Sequence, residues 1–216
     1  MKTLPKFTPV VHITSHSQAL EQSALAFSNG ADGIFLISHS LSYKTLLDAY
    51  KKVRAIFMDE WIGVNFLDLS PLDASIQIPS DADGLWIDEG FGFSSEFLPS
   101  FKNYRVFPGI AFKYQNSGLS LEQEVLQALH DYSESDVITT SGPATGKAAE
   151  IDKIKSLRYL IGPWRNLALA SGVTPNNIVD YLPYVDTFMV ATGISESFDK
   201  LDKHKVRDMA EIILKY

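Results

Sequence analysis

Six polar side chains of this 216-residue chain stand where short apolar runs end: His12, His39, Asn65, Asp88, Glu89 and Lys113. Imidazole, carboxylate and ammonium groups in such places are the tools of general acid–base catalysis. A lysine there can also clamp an anion or, once desolvated, attack a carbonyl carbon. Lys113, Asp88, Asn65 and His12 are the candidate catalytic residues. Asp88 and Lys113 end consecutive runs, so their side chains can meet across one mouth. The simpler alternatives are a structural ion pair for those two and a packed, hydrogen-bonded imidazole for His12. His12, His16, His39 and Asp88 contain no pair at the local helical spacing of a zinc motif, and neither a metal nor a cofactor is assigned.

A second set of residues repeats along the C-terminal half. The runs Asp136–Gly142, Asn166–Gly172 and Asp186–Gly193 each pass from apolar residues into Ser or Thr, then Gly, before a helix-like segment. Their turns, Ser141-Gly142, Ser171-Gly172 and Thr192-Gly193, offer hydroxyls and backbone N–H groups of the kind that hold a phosphate. Thr174-Pro175-Asn176-Asn177 reads as a helix opening aimed at the same anion, joined by the amide of Ile194. The competing explanation is that glycine merely permits a tight turn. Gly142 to Lys147 is not a nucleotide loop: only Pro143, Ala144 and Thr145 separate its glycines, and Ala148 stands where a magnesium-binding hydroxyl belongs. Lys147 is either an anion partner or a solvated lysine.

The elements that must position these residues alternate from end to end. Apolar runs predict strands at Val10–Ile13, Gly33–Ile37, Trp61–Asn65, Gly84–Asp88, Val106–Ala111, Asp136–Thr140, Asn166–Ala170 and Thr187–Ala191, spaced by roughly 20 to 30 residues, the length of a βα unit. Helical stripes fall between them: Leu20, Ala24 and Phe27; Leu46, Tyr50, Val53 and Phe57; Leu121, Val125, Leu129 and Tyr132; Val206, Met209, Ala210 and Ile213. Ser120 and Gln123 form a capping box, and Asn29-Gly30 and Gly162-Pro163 stop helices. Continuous apolar strands are expected where both sheet faces are buried. The pattern predicts an α/β fold, a single-domain (β/α)8 TIM barrel with a closed parallel sheet spanning residues 1–216; an open doubly wound sheet is the alternative. The Gly90–Asn103 connection is the least helical, and its Phe91, Phe93 and Phe97 either wall a pocket or cover the barrel's side. Trp61, Trp86 and Trp164 read as core residues.

Composition narrows the partners. A net charge of −7 with scattered lysines and arginines excludes a broad nucleic-acid surface. The absence of cysteine rules out disulfides and thiolate catalysis. No apolar stretch reaches membrane-spanning length and the N-terminus lacks a signal-peptide pattern, so a cytoplasmic protein is expected. The expected partner is a phosphorylated small molecule or inorganic phosphate, with a homo-oligomer left open.

Asp136–Ser195 resembles the BtpA family, a group with the ribulose-phosphate-binding type of TIM barrel. The resemblance is carried by Ser141-Gly-Pro-Ala-Thr-Gly146, by Ser171-Gly-Val-Thr-Pro-Asn-Asn177 and by Asp186–Gly193, with weaker echoes at Val11-His12, Gly63-Val-Asn65 and Phe112-Lys113-Tyr114. It implies the barrel and an anion site. The chain departs from the family at Thr14–Ser17, Ser38–Leu41 and Phe66–Asp68, loops on the substrate side. The resemblance leaves two functions open: an isomerase or lyase acting on a phosphorylated metabolite, or a non-catalytic assembly or regulatory factor built on a barrel.

Overall fold

A computed structural model describes residues 1–90, 93 and 102–216. Eight parallel strands form one sheet: β1 (Phe7–His12), β2 (Gly33–Ile37), β3 (Trp61–Asn65), β4 (Gly84–Ile87), β5 (Arg105–Pro108), β6 (Val137–Ser141), β7 (Asn166–Ala170) and β8 (Thr187–Val190). Each strand neighbours the next, and β1 pairs with β8. Between β5 and β6 the barrel closes through a single bridge, Gly109 to Thr139, where the Ile110 amide donates to the Thr139 carbonyl at 2.8 Å. The sheet is a (β/α)8 barrel and not the open alternative. Strand β5 ends at Pro108, earlier than expected, because the chain turns away: Ala111 has φ 46°.

Among the described residues the α-helices are α1 (His16–Ser28), α2 (Tyr43–Ile56), α3 (Pro71–Gln77), α4 (Leu121–Asp131), α5 (Ile151–Ile161), α6 (Ile178–Tyr181) and α7 (Lys203–Lys215). The capping box at Ser120 and Gln123 is formed, and Gly162 ends α5 at φ 71°. On α1 the buried face is Ala19, Gln22, Ser23 and Ala26, displaced from the expected stripe, since small residues let this helix pack close. Helix α6 starts at Ile178, later than Thr174-Pro175 suggested, because the Asn177 side chain closes a turn first. A short antiparallel hairpin, β9 (Ser195–Ser197) with β10 (Lys200–Leu201), follows β8 and has no counterpart among the expected elements. Trp164 is a surface residue, 89% exposed, standing past the end of α5, whereas Trp61 and Trp86 are core. Of the expected aromatic trio in the fourth connection, Phe93 is buried; Phe91 and Phe97 lie outside the described residues.

A cluster of aromatic and aliphatic side chains, among them Val10, Phe35, Trp61, Phe107 and Met189, fills the barrel below the site. Phe35, Trp61 and Phe107 meet edge to face with centroids 5.0 to 5.8 Å apart. Gly63 makes room for them, since a Cβ there would come within 2.4 Å of the Phe35 ring. At the opposite, N-terminal end, an aspartate precedes every even-numbered strand and caps the start of the strand before it. Asp32 accepts from the Phe7 amide at 2.9 Å, Asp83 from Ile62 at 2.9 Å, Asp136 from Val106 at 2.8 Å and Asp186 from Leu167 at 2.8 Å. Strand-start N–H groups have no ladder partner on that side, so each carboxylate removes an unpaired donor. Three of them also take a cation: Arg54 on Asp83, Lys102 on Asp136 and Arg158 on Asp186. This base pins strands in pairs and leaves the C-terminal mouth free for function. No helix among the described residues is long and apolar enough to cross a membrane.

Candidate functional site

Strand alternation decides what faces the mouth. Side chains of residues two apart share a face, so His12, Asn65 and Asp88 continue the inward rows of Val10, Gly63 and Trp86. Lys113 comes from the loop after β5, between two residues in the left-handed region, Ala111 and Tyr114 (φ 46° and 63°). Ser171, at the end of β7, is the third such non-glycine residue (φ 74°). Each costs about 1 to 3 kcal/mol, and such strain concentrates at functional sites. Loop fixation supplies the compensation. The Lys113 amide donates to Ser141 Oγ at 2.7 Å, and Lys153 Nζ donates to the Ala111 and Ser141 carbonyls at 2.5 and 2.8 Å.

His12, Asp88 and Lys113 line one cavity of about 180 Å³ together with Ser171 and Thr192. Past Leu67 and Tyr114 it adjoins a second cavity of about 390 Å³, lined by Asn65, Asp88, Glu89, Lys113 and Gln115. Lys113 and Asp88 do not form an ion pair. The Lys113 ammonium donates to Ser171 Oγ at 3.1 Å, and Asp88 Oδ1 accepts from Asn65 Nδ2 at 3.0 Å. Gln115 also donates to the Asp88 carbonyl. Opposite charges are thus held apart by separate partners on the walls of one cavity.

Ser141, Gly142, Gly172 and Gly193 stand behind that wall. Ser141 is fully buried and serves the Lys113 backbone. At Gly172 φ is 70°, and a Cβ would lie 2.2 Å from the Lys147 carbonyl carbon, so the approach of the adjacent loop by itself requires glycine. Gly142 lies against the same residue's carbonyl and Gly193 against that of Val173. The Thr174 amide donates to Asn177 Oδ1 and the Ile194 amide to the Ala191 carbonyl, so neither is directed at an anion. The groups of the predicted anion set that reach the cavity are therefore the Ser171 and Thr192 hydroxyls, with the Lys113 charge beside them.

Burial sets the protonation states. It lowers the His12 pKa from 6.5 to about 4, assisted by His39 and Lys113 and opposed by Asp199. The His39 imidazole is lowered by burial and then by Lys113. Burial raises the Asp88 carboxyl, against the Asn65 hydrogen bond and the Lys113 charge. A neutral imidazole and a carboxylate of raised basicity suit proton transfer near neutral pH. For His12 the folded state favours the neutral ring, while the unfolded chain binds a proton below about pH 6.5. The stability this confers is present above pH 6.5 and is lost as pH falls toward 4. Urea unfolding across that window is expected to show a steeper decline for the wild type than for His12→Gln; parallel curves would mean that the ring titrates normally.

Sequence reasoning missed Phe198, which hairpin β9–β10 carries over the mouth, its ring centroid 4.2 Å from that of His12. Thr145 and Tyr114 also reach the cavity, and the Thr145 amide donates to the Tyr114 hydroxyl at 3.2 Å. These residues come from loops and a hairpin, where strand periodicity gives no signal.

No protein-family model matches the chain, and no curated protein matches it in sequence. Solved structures do match. Phosphoribosyl anthranilate isomerase from Thermus thermophilus superimposes with a TM-score of 0.71 at 16% identity, covering 97% of this chain and 98% of that one. For 3-hexulose-6-phosphate synthase from Salmonella typhimurium the values are 0.72 and 13%, with 97% and 99% covered. For thiamine phosphate pyrophosphorylase from Pyrococcus furiosus they are 0.69 and 14%, with 97% and 96% covered. The chain shares the TIM-barrel architecture with these proteins over 97% of its length.

Proposed function

We propose that this chain is a BtpA-like, single-domain barrel that binds a small phosphorylated metabolite in its C-terminal mouth and acts on it as an isomerase or lyase. The observation that carries the proposal is the convergence of His12, Asp88 and Lys113 with the Ser171 and Thr192 hydroxyls on one cavity. The ammonium and hydroxyls are suited to an anionic group. Asp88 would take a proton from carbon next to a carbonyl, the C–H electron pair forming the enolate double bond as the carbonyl π pair moves onto oxygen. Lys113 and the neutral His12 ring would stabilise that oxygen, and Asn65 would orient the Asp88 carboxylate. Where the deprotonated carbon bears a hydroxyl, transfer of that hydroxyl proton to the enolate oxygen and return of the first proton to the former carbonyl carbon complete an isomerisation. In a lyase Asp88 would take instead the proton of a hydroxyl on the second carbon from the carbonyl, that C–O becoming a new carbonyl while the C–C bond beside it breaks and its electron pair forms the enolate. The named relatives in fold handle phosphorylated compounds by their own descriptions, which agrees with this choice of ligand.

One observation favours the assembly-factor alternative: Phe198 is an apolar ring, 59% exposed, at the rim of the mouth. A thermal-shift panel of sugar phosphates, triose phosphates and inorganic phosphate separates the two. A ligand present at 100 times its Kd adds about 2.7 kcal/mol by linkage, a rise of about 5 to 11 °C for a protein of this size. The enzyme proposal expects at least one sugar or triose phosphate to produce such a rise. A panel in which none shifts the midpoint favours the factor.

A further inference from the structure

The cavity has an end that an anion alone does not use. There the rings of His12 and His39 stack, 5.2 Å apart and inclined by 15°, and Phe198 covers both, 4.2 Å from the first and 5.3 Å from the second. The Phe198 position is built. Gln18 of α1 donates to the His12 carbonyl at 3.0 Å and to the Asp199 carbonyl at 2.5 Å, tying the hairpin to the end of β1. One turn further on, the buried Gln22 accepts from the Leu201 amide at 2.7 Å. An aromatic ring fixed by its backbone yet left open on one face is a preorganised wall.

Trp86, 5% exposed, lines the same cavity, and its indole N–H is buried with no protein partner. The His12 Nδ1 is likewise unpaired. Both atoms lie behind the cavity wall with almost no exposed surface, so what Trp86 and His12 present to the cavity is ring carbon. The low pKa of His12 keeps its ring neutral, a π surface in place of a cation. The cavity is small, about 180 Å³, so a single six-membered ring fills most of it and the anionic group sits at its Lys113 edge, where it adjoins the second cavity.

We propose that this end is a subsite for a planar, single-ring group of the ligand, packed on Phe198 and His12. The subsite depends on the phosphate-binding function proposed above, because Lys113, Ser171 and Thr192 hold the anionic group at the other end.

Calorimetric titration of the full chain and of Phe198→Ala with inorganic phosphate, glycerol 3-phosphate and 4-nitrophenyl phosphate tests it, the last carrying a single planar ring. The wild type is expected to bind the aromatic phosphate about tenfold tighter than glycerol 3-phosphate, and Phe198→Ala to cut that advantage to about twofold or less. Equal affinities in the wild type, or an advantage that survives in the variant, overturn the subsite and leave phosphate binding in place. If none of the three compounds binds, both proposals fall.

Discussion

Replacing Asp136 by Ala is expected to cost about 3 to 5 kcal/mol of folding stability, the largest loss from any single change considered at the base of the barrel. The carboxylate is wholly buried and accepts from Lys102 at 2.6 and 2.7 Å, from the Val106 amide at 2.8 Å, and from the Ser133 amide and hydroxyl at 3.1 and 2.7 Å. Removing it strands the Lys102 charge, whose side chain is only 13% exposed, and leaves the Val106 amide of β5 without its acceptor. Strand β5 already meets β6 through a single bridge, so this corner has little pairing in reserve. The double variant Asp136→Ala, Lys102→Met is expected to recover part of the loss, since no charge then remains unpaired. Urea denaturation measures both. A loss below about 1 kcal/mol for Asp136→Ala would mean that the capping carboxylates are replaceable by water.

Lys113→Met is expected to have the opposite profile: a large effect on the ligand and a small one on the fold. The ammonium makes one side-chain hydrogen bond, to Ser171 Oγ, and the loop is held through the Lys113 backbone amide and through Lys153, which the substitution leaves intact. Loss of a charge-assisted hydrogen bond to an anion corresponds to about 10- to 150-fold weaker binding. Turnover should vanish if the ammonium also stabilises the developing oxyanion. A melting midpoint within about 2 °C of the wild type is expected, as for a substitution worth less than about 0.5 kcal/mol. Unfolding of this variant would make Lys113 a structural residue and favour the assembly-factor alternative.

Much of the barrel was legible in the sequence because its strands are buried on both faces. Gly33–Ile37, Trp61–Asn65 and Asn166–Ala170 have the bounds that their apolar runs predict. What escaped was structure made by side chains folding back on the backbone. Thr174-Pro175 carries a helix-start signal, but Asn177 spends it on a turn, accepting from the Thr174 amide and donating to the Gly172 carbonyl. Hairpin β9–β10 has no apolar alternation to announce it, and two glutamines of α1 hold it in place. Asp32, Asp83 and Asp186 look like ordinary turn residues, and Asp136 like the first residue of its strand, until the neighbouring strand supplies an amide. At the mouth, residue types and strand ends were enough to nominate Lys113, Asp88, Asn65 and His12. Distinguishing Ser171 and Thr192 from the glycines behind them required the contacts between adjacent loops.

The most direct test of an anion site at this mouth is a crystal structure of the protein soaked with the phosphorylated compound that raises its melting midpoint most. The phosphate is predicted within hydrogen-bond distance of Lys113 Nζ and of the Ser171 and Thr192 hydroxyls, with the rest of the ligand extending toward Asp88 and His12. A phosphate bound elsewhere, or a cavity beside Lys113 that stays empty in the soaked crystal, would contradict it.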